Sequence, residues 1–294
     1  MRIRKAIIPI AGKGTRFLPA TKEIAKEIIP IINTPMIHYI VKECCEAGIE
    51  QVIFVTASGK FAVEDYFDRN QELEAFLERN NKMKELDLIR RIGSMVDVTS
   101  VRQKEQLGLG HAVLCARSMI GDEPFAILLG DDIIINENPA IKQLMDLSYK
   151  HDGASVIGVM EVPKDQTSKY GIVKGEVIDA KTLRMTGMVE KPEPKDAPTN
   201  LATPGRYILT PEIFDILEKI PRGAGNEYQL TDAISVLCQT RDVYAYKFEG
   251  ERFDTGSIPG YLDATIDFAL KDPATRDTFV ASLKNRLNKY GITL

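Results

Sequence analysis

The chain has 294 residues, of which 44% are hydrophobic and 27% charged, and its formal net charge is −4. These proportions are typical of a globular protein, and the acidic balance argues against a basic nucleic-acid-binding surface. No apolar run approaches the length of a transmembrane helix, and the four cysteines form no Cys-x-x-Cys pair. With no signal sequence in view, we expect a cytoplasmic protein with reduced thiols that binds neither membrane nor nucleic acid.

Near the N-terminus a short apolar run, residues 6–10, stops at a loop with two glycines and two cations. A run of this length bounded by turn signals predicts a buried strand. Gly12 and Gly14 let a ligand approach the backbone closely, and Lys13 and Arg16 favour a phosphate chain. The spacing excludes the P-loop, and the third glycine of the dinucleotide fingerprint is absent. A glycine turn without a ligand remains the alternative here.

After this loop the chain alternates helices and strands. Lys22 and Lys26 stand one helical turn apart, which fits either a solvated Lys/Glu face or a pair of phosphate ligands. Helical spacing predicts a helix over 36–44, with Thr34 as its N-cap. Further strands and helices are predicted at 51–56, 61–92, 96–102, 112–119 and 125–132. This order predicts an α/β fold with a Rossmann-like, open, mostly parallel central sheet and helices on both faces.

Polar loops follow the predicted strands at one edge of this sheet, where such folds bind ligands. Gln103 opens a second glycine-containing loop that reaches Gly108, and Asp131 and Asp132 end the strand that begins at residue 125. An acid pair after a strand is often only a turn or a cap. Beside a polyphosphate it suits Mg²⁺, which takes one or two carboxylates plus phosphate oxygens. Asp254, at the end of another short extended segment, is a second candidate ligand.

The second half has a different texture. Strands are predicted at 154–162, 171–177, 183–189, 206–209 and 244–248, and helices at 211–219, 227–237, 260–271 and 273–289. Strands separated by short turns predict a smaller antiparallel addition to the sheet. The last two predicted helices form a C-terminal helical extension.

A series of short motifs runs through the whole chain in order. They are Ala-Gly-Lys-Gly-Thr-Arg-Phe-Leu-Pro-Ala-Thr-Lys (11–22), Val-Arg-Gln-Lys-Glu (101–105), Gly-Leu-Gly-His-Ala (108–112), Gly-Asp-Asp (130–132), Lys-Tyr-Gly-Ile (169–172), Val-Glu-Lys-Pro (189–192), Gly-Arg-Tyr (205–207), Gln-Leu-Thr-Asp-Ala (229–233) and Phe-Asp-Thr-Gly (253–256). In this order they resemble the bacterial UTP–glucose-1-phosphate uridylyltransferases, a branch of the sugar-phosphate nucleotidyltransferases. The resemblance implies a nucleotidyltransferase domain over 1–257, divided near residue 150 into a nucleotide-binding half (1–150) and a sugar-phosphate-binding half (151–257). Residues 258–294 would then be the helical extension and a candidate oligomer contact.

The resemblance also implies a reaction and its residues. A uridylyl group would pass from UTP to α-D-glucose 1-phosphate, giving UDP-glucose and pyrophosphate, with Mg²⁺ as cofactor, in a homodimer or homotetramer. The implied catalytic residues are Arg16, Lys26 and Lys191; the nucleotide-binding residues are Ala11, Gly12, Gly14, Thr15, Gln103 and Gly108; the sugar-phosphate-binding residues are Gly171, Glu190, Lys191 and Asp132; and the metal ligands are Asp131 and Asp254. Within this set, Gln103 and Gly108 would read the uracil edge.

Two alternatives stay open at this point. One is an inactive paralogue that regulates a true uridylyltransferase, and the other is a sister enzyme that uses another sugar 1-phosphate. Departures from the family's usual residues occur at Ala25, at Asn33 and Thr34, and at residues 257–259. None of them removes a predicted ligand, so they bear on substrate affinity and on the choice of sugar.

Overall fold

The structure, a computed structural model, describes residues 2–293, so residues 1 and 294 at the ends of the predicted domain and extension lie outside it. Its strands are β1 (Lys5–Pro9), β2 (Pro30–Ile31), β3 (Thr34–Pro35), β4 (Gln51–Thr56), β5 (Asp97–Arg102), β6 (Phe125–Leu128), β7 (Asp132–Ile135), β8 (Ser155–Glu161), β9 (Gly171–Val177), β10 (Thr182–Glu190), β11 (Leu201–Thr203), β12 (Arg206–Leu209), β13 (Val243–Lys247) and β14 (Glu251–Asp254). Its α-helices are α1 (Met36–Glu46), α2 (Phe61–Phe67), α3 (Gln71–Arg79), α4 (Met83–Ile92), α5 (Leu109–Cys115), α6 (Arg117–Ile120), α7 (Ala140–Lys150), α8 (Glu212–Leu217), α9 (Leu230–Leu237), α10 (Ile258–Lys271) and α11 (Arg276–Lys289).

Ten of these strands form one sheet in the order β11-β9-β10-β13-β8-β12-β6-β1-β4-β5. Strand β1 pairs in parallel with β4 and β6, and β4 pairs in parallel with β5. Ile8 of β1 packs into a core cluster with side chains of α1 and α7, while its neighbour Ile7 packs into a second cluster with side chains of α5, α8 and α9. Because successive side chains of a strand point to opposite faces, an all-apolar strand needs helices on both faces. The predicted α/β fold class is confirmed.

The antiparallel strands of the second half continue this same sheet. Strands β9, β10 and β11 pair antiparallel with one another in the order β11-β9-β10, and β11 also pairs with β8. Strand β12 lies antiparallel between β6 and β8, in the middle of the sheet. The composition of residues 206–209 predicts a buried strand but not its direction, which depends on how the chain returns to the sheet.

Two local predictions are wrong. Thr34 does not cap α1, since the helix begins at Met36 after Pro35, and Thr34 instead pairs with Ile31 in the short β2–β3 ladder. A residue before proline is pushed towards extended backbone, which suits a strand better than a cap. The strand predicted over 125–132 is also divided: β6 ends at Leu128, and Asp132 begins β7.

A buried ion pair fastens the sheet to α1. The Arg206 side chain is fully buried and donates to both carboxylate oxygens of Glu43 at 2.7–3.1 Å and to the main-chain oxygen of Asp132 at 2.6 Å. A buried pair of this kind needs hydrogen bonds to offset its lost hydration, and Arg206 supplies them through Nε and Nη2, whereas its buried Nη1 has no partner among the described residues. Arg206 therefore holds the start of β7, and with it the acid pair, against the core.

Helix α10, the first helix of the C-terminal extension, packs on the first half of the chain. Its Phe268 ring lies 4.9 Å from the ring of Tyr39, and the Tyr261 hydroxyl donates to the main-chain oxygen of Pro30 at 2.8 Å. Its opposite side leaves large apolar side chains exposed, at Ile258, Leu262, Ile266 and Leu270. Over residues 2–293, no helix has both the length and the apolar character needed to cross a membrane.

Candidate active site

The loop after β1 forms the floor of a cleft of about 890 Å³ at the carboxyl edge of the parallel strands. The Ile10 amide donates to the main-chain oxygen of Val55 at 2.8 Å, and the Gln106 side chain donates to the main-chain oxygen of Ala11 at 2.7 Å. The loop is thus tied to β4 on one side and to the segment after β5 on the other. The cleft lining is rich in cations, namely Lys13, Lys22, Lys26, Lys60, Arg102 and Lys104.

The two glycines of this loop have different structural reasons. Gly14 has φ +64°, in the left-handed region, and a Cβ there would also lie 3.2 Å from the Cβ of Lys26. A Cβ on Gly12 would meet no atom of the described chain within 4 Å. Gly14 is therefore required by the backbone turn, whereas Gly12 leaves main-chain groups open to the cleft. Thr15, beside them, also lines the cleft.

Two predicted cations, Lys26 and Arg16, lie close to the predicted metal ligands. Lys26 Nζ lies 2.5 Å from Asp131 Oδ2. Burial opposes the charge on both groups, but their mutual attraction outweighs it, so the pKa of Lys26 lies above its usual value and the pKa of Asp131 below it. Arg16 donates through Nη1 to the main-chain oxygen of Gly256 at 3.3 Å, next to Asp254. The structure therefore brings Arg16, Lys26, Asp131 and Asp254 together.

The two predicted metal ligands lie around one point. A Cβ built on Gly256 would stand 2.7 Å from Asp131 Oδ2 and 3.2 Å from Asp254 Oδ1. The β7–β14 pairing sets this arrangement, since Asp254 is directly opposite Asp132. Among residues 2–293 there is no cluster of three or more His, Cys, Asp or Glu side chains able to hold a metal. A two-carboxylate site suits Mg²⁺ that completes its coordination with phosphate oxygens and water.

The second glycine loop contributes Gln103, Lys104 and Gln106 to the lining of the cleft. Gln103, which is buried but lines the cleft, donates through Nε2 to the main-chain oxygen of Gly108 at 3.1 Å. Gly108 has φ +97°, and a Cβ there would stand 2.7 Å from the Cβ of Glu227. The positive φ and the close approach of Glu227 therefore both favour glycine at position 108. The two predicted base-reading residues are in direct contact.

A second group of predicted residues lies outside the lining of this cleft. Gly171 of β9 is the register partner of Glu190 of β10, and a Cβ on Gly171 would stand 2.8 Å from Thr231 Cγ2. The Lys191 amide donates to the main-chain oxygen of Tyr170 at 3.0 Å, and its exposed Nζ lies 3.3 Å from Glu190 Oε1. Lys191 has φ +45°, a left-handed backbone that is uncommon for a lysine and is often found at functional sites.

Asp132, the second residue of the acid pair, is buried. Its carboxylate forms an ion pair with Arg252, which also donates to the Tyr170 hydroxyl at 3.0 Å and stands 5.2 Å from the centre of that ring. Burial raises the pKa of Asp132 to about 7, against the attraction of Arg252. The Asp132–Arg252–Tyr170 chain connects the acid pair to the backbone before Gly171. Sequence reasoning missed Arg252, although it stands two residues before the predicted ligand Asp254.

A second missed pair, Lys60 and Glu27, lies beside the cleft, and Lys60 lines it. Lys60 Nζ lies 2.8 Å from a carboxylate oxygen of Glu27, which is 1% exposed. Burial lowers the pKa of Lys60 despite the attraction of Glu27. Its position in the sequence could have indicated Lys60 as a site residue, because it follows β4 at the same edge at which the other parallel strands end.

Comparison with known proteins assigns the chain to a family. Residues 5–270 match the model of the family described as Nucleotidyl transferase. The chain belongs to this nucleotidyl transferase family. A relative in Bacillus subtilis named UTP–glucose-1-phosphate uridylyltransferase is 49% identical over 291 residues, which span 99% of each chain. The resemblance expected from the motifs is confirmed.

Solved structures of nucleotidyl transferases have the same fold. The UTP-bound UGPase from Acinetobacter baumannii superposes with a TM-score of 0.87 at 43% identity, over 96% of this chain and 99% of that one. A UDP-glucose pyrophosphorylase complexed with UDP-glucose superposes with a TM-score of 0.85 at 42% identity, over 92% of this chain and 100% of that one.

Proposed function

We infer that this protein transfers a uridylyl group from UTP to α-D-glucose 1-phosphate, giving UDP-glucose and pyrophosphate. The observation that carries the inference is the 49% identity to a protein named for this reaction, which runs through 99% of both chains. Similarity of this extent includes both the cleft over the β1 loop and the Gly171 region. It therefore covers the parts of the chain that would bind the two substrates.

For the nucleotide, we propose that Ala11, Gly12, Gly14 and Thr15 cradle the phosphates of UTP. The open backbone at Gly12 and the surrounding lysines and arginines support this assignment, since main-chain N–H groups and cations are the usual partners of phosphate. Gln103, which lines the same cleft, and Gly108 would bind the uracil edge.

For the sugar phosphate, we propose Gly171, Glu190, Lys191 and Asp132. Glu190 would accept hydrogen bonds from sugar hydroxyls, and Gly171 would let the sugar approach the backbone. Lys191 would bind the phosphate, which its exposed ammonium is free to reach. Asp132 would act from its buried position through Arg252 and Tyr170.

We propose that Asp131 and Asp254 hold Mg²⁺. The two carboxylate oxygens that converge beside Gly256 support this choice. When bound, the ion would neutralise negative charge on the phosphate chain and so favour attack by a second anion. Without a cation there, the two acids would repel that chain.

The reaction needs no general base from the protein. The phosphate of glucose 1-phosphate is largely ionised at neutral pH, given a second pKa of about 6. One of its oxygens attacks the α-phosphorus of UTP in line; the bond from that phosphorus to the bridging oxygen of the β-phosphate breaks, and pyrophosphate leaves with the electron pair. Arg16, Lys26 and Lys191 stabilise the negative charge that builds up as the two anions meet.

Pyrophosphate release across a panel of nucleoside triphosphates and sugar 1-phosphates with Mg²⁺ tests this function. Turnover of UTP with glucose 1-phosphate above all other pairs is the expected result. A preference for galactose or N-acetylglucosamine 1-phosphate would change the sugar assignment. Absence of turnover with every pair would contradict the enzymatic assignment and favour a regulatory paralogue.

We also propose a homodimer or homotetramer that works in the cytoplasm. We propose that residues 1–150 bind the nucleotide and residues 151–257 bind the sugar phosphate. The extension, residues 258–294, would form the contact between subunits. The exposed apolar side chains of α10 support that contact, and the free thiols of all four cysteines suit a reducing compartment. Analytical ultracentrifugation of the full chain would measure the subunit number.

A further inference from the structure

The amide of Gln103 is held at two points. Its Nε2 lies 3.1 Å from the main-chain oxygen of Gly108 and 3.0 Å from Nδ1 of His111. His111 belongs to the motif Gly-Leu-Gly-His-Ala and lies in the first turn of α5, yet it has no place in the proposed substrate contacts. Its ring stacks on Tyr228, with centroids 6.3 Å apart, so its position is fixed as well.

These contacts determine which way the amide points. The Gly108 oxygen can only accept, so the amide atom facing it must be the nitrogen and not the oxygen. The same nitrogen then donates its second hydrogen to His111, so Nδ1 carries a lone pair and the ring proton sits on Nε2. Burial lowers the pKa of His111, which favours this neutral ring. Cys115 Sγ, 4.0 Å from Nε2, lies on the donor side.

One acceptor of the amide is left for a ligand. Among residues 2–293, Gln103 Oε1 has no hydrogen-bond partner, and Gln103 lines the cleft. The Gly108 amide likewise donates to no group in the described chain. An acceptor next to a donor matches the N3–H and a carbonyl oxygen of uracil. Cytosine presents a lone pair at N3 and would meet the Oε1 lone pairs.

We propose that His111 is a positioning residue that fixes the Gln103 amide with its oxygen towards the cleft and so selects uracil over cytosine. The proposal rests on the proposed function, because it assumes that Gln103 and Gly108 bind the base. A flipped amide would place its oxygen against two acceptors, Gly108 O and His111 Nδ1. Removing one of these acceptors makes the flip easier without touching the substrate.

Two variants of the full-length protein separate positioning from packing. His111→Leu removes the acceptor at similar volume, whereas His111→Asn keeps an oxygen near the place of Nδ1. With one neutral hydrogen bond at stake, we expect the ratio of kcat/KM for UTP to that for CTP to fall about 2- to 10-fold in His111→Leu. The change should lie mainly in KM for UTP. His111→Asn should restore most of the ratio, and Cys115→Ala, which leaves Nδ1 untouched, should keep it.

A UTP-to-CTP ratio in His111→Leu equal to that of the parent would overturn the proposal, as would an equal fall in both histidine variants. The imidazole tautomer gives an independent readout that does not depend on activity or on the folding of a variant. Long-range ¹H–¹⁵N spectra of the parent should show a neutral ring protonated at Nε2, and a proton on Nδ1 would contradict the argument. Absence of UTP turnover in the parent would instead count against the proposed function.

Discussion

Gly256 stands at the point where the two proposed metal ligands converge, so a single methyl group there tests the arrangement. In Gly256→Ala the new Cβ would lie 2.7 Å from Asp131 Oδ2 and 3.2 Å from Asp254 Oδ1. An ordinary carbon contact needs about 3.5 Å, so the Asp131 carboxylate must move by roughly 0.8 Å. Displacements of about 1 Å in a catalytic site lower turnover about 10²-fold, so we expect kcat to fall about 10- to 10²-fold.

The assay is pyrophosphate release at saturating UTP and glucose 1-phosphate, measured over a range of Mg²⁺ concentrations. The variant should also need more Mg²⁺ for half-maximal rate, because the acids no longer converge. Overpacking of this kind destabilises by about 1–3 kcal/mol, so urea unfolding should show a weaker but folded protein. Gly12→Ala is the matched control, since its Cβ meets no described atom within 4 Å. It should raise KM for UTP and leave the Mg²⁺ dependence unchanged.

A folded Gly256→Ala protein with the parent's kcat and Mg²⁺ requirement would refute this reasoning. It would mean that the carboxylates beside Gly256 do not share a metal ion during turnover. If the two alanine variants had the same kcat and the same Mg²⁺ requirement, the proposed metal site would lie elsewhere in the molecule.

Three other substitutions have distinct expected outcomes. Lys191→Ala should lower kcat about 10²- to 10³-fold, the effect of losing one preorganised electrostatic contact, and near-normal kcat would remove Lys191 from the mechanism. Asp131→Asn should abolish Mg²⁺-dependent pyrophosphate release while circular dichroism shows a folded protein, and unchanged Mg²⁺ dependence would contradict its role as ligand. Arg206→Met should lower the free energy of unfolding by about 3–5 kcal/mol, because it leaves the Glu43 carboxylate buried and unpaired. Adding Glu43→Gln should recover part of that loss in the same urea titration.

The order of strands and helices could be predicted because its signals are local. Apolar runs such as residues 6–10 and 51–56 contain the information for a buried strand, and the crossover rule then sets the parallel core. The positions of the site loops follow too, since the carboxyl ends of parallel strands share an edge. The motifs then indicated the chemistry of that edge, and the comparisons bear out the family and the reaction.

Long-range contacts were not accessible in the same way. Arg252 pairs with Asp132 across 120 positions of the chain, and the β7–β14 ladder that places Asp254 has no local signal. The antiparallel course of β12 and the second anchor of Gln103 on His111 likewise depend on segments that meet only in the folded chain.

The sequence by itself therefore determined the elements, the family and the residue types of the site. Local periodicity and motif spacing are properties of neighbouring residues, so they can be read without a fold. Only the tertiary structure decided that Asp131 and Asp254 converge beside Gly256, that Asp132 is buried with Arg252, and which atom of the Gln103 amide donates to Gly108. Those outcomes depend on distances and hydrogen-bond geometry between distant segments, which folding alone brings together.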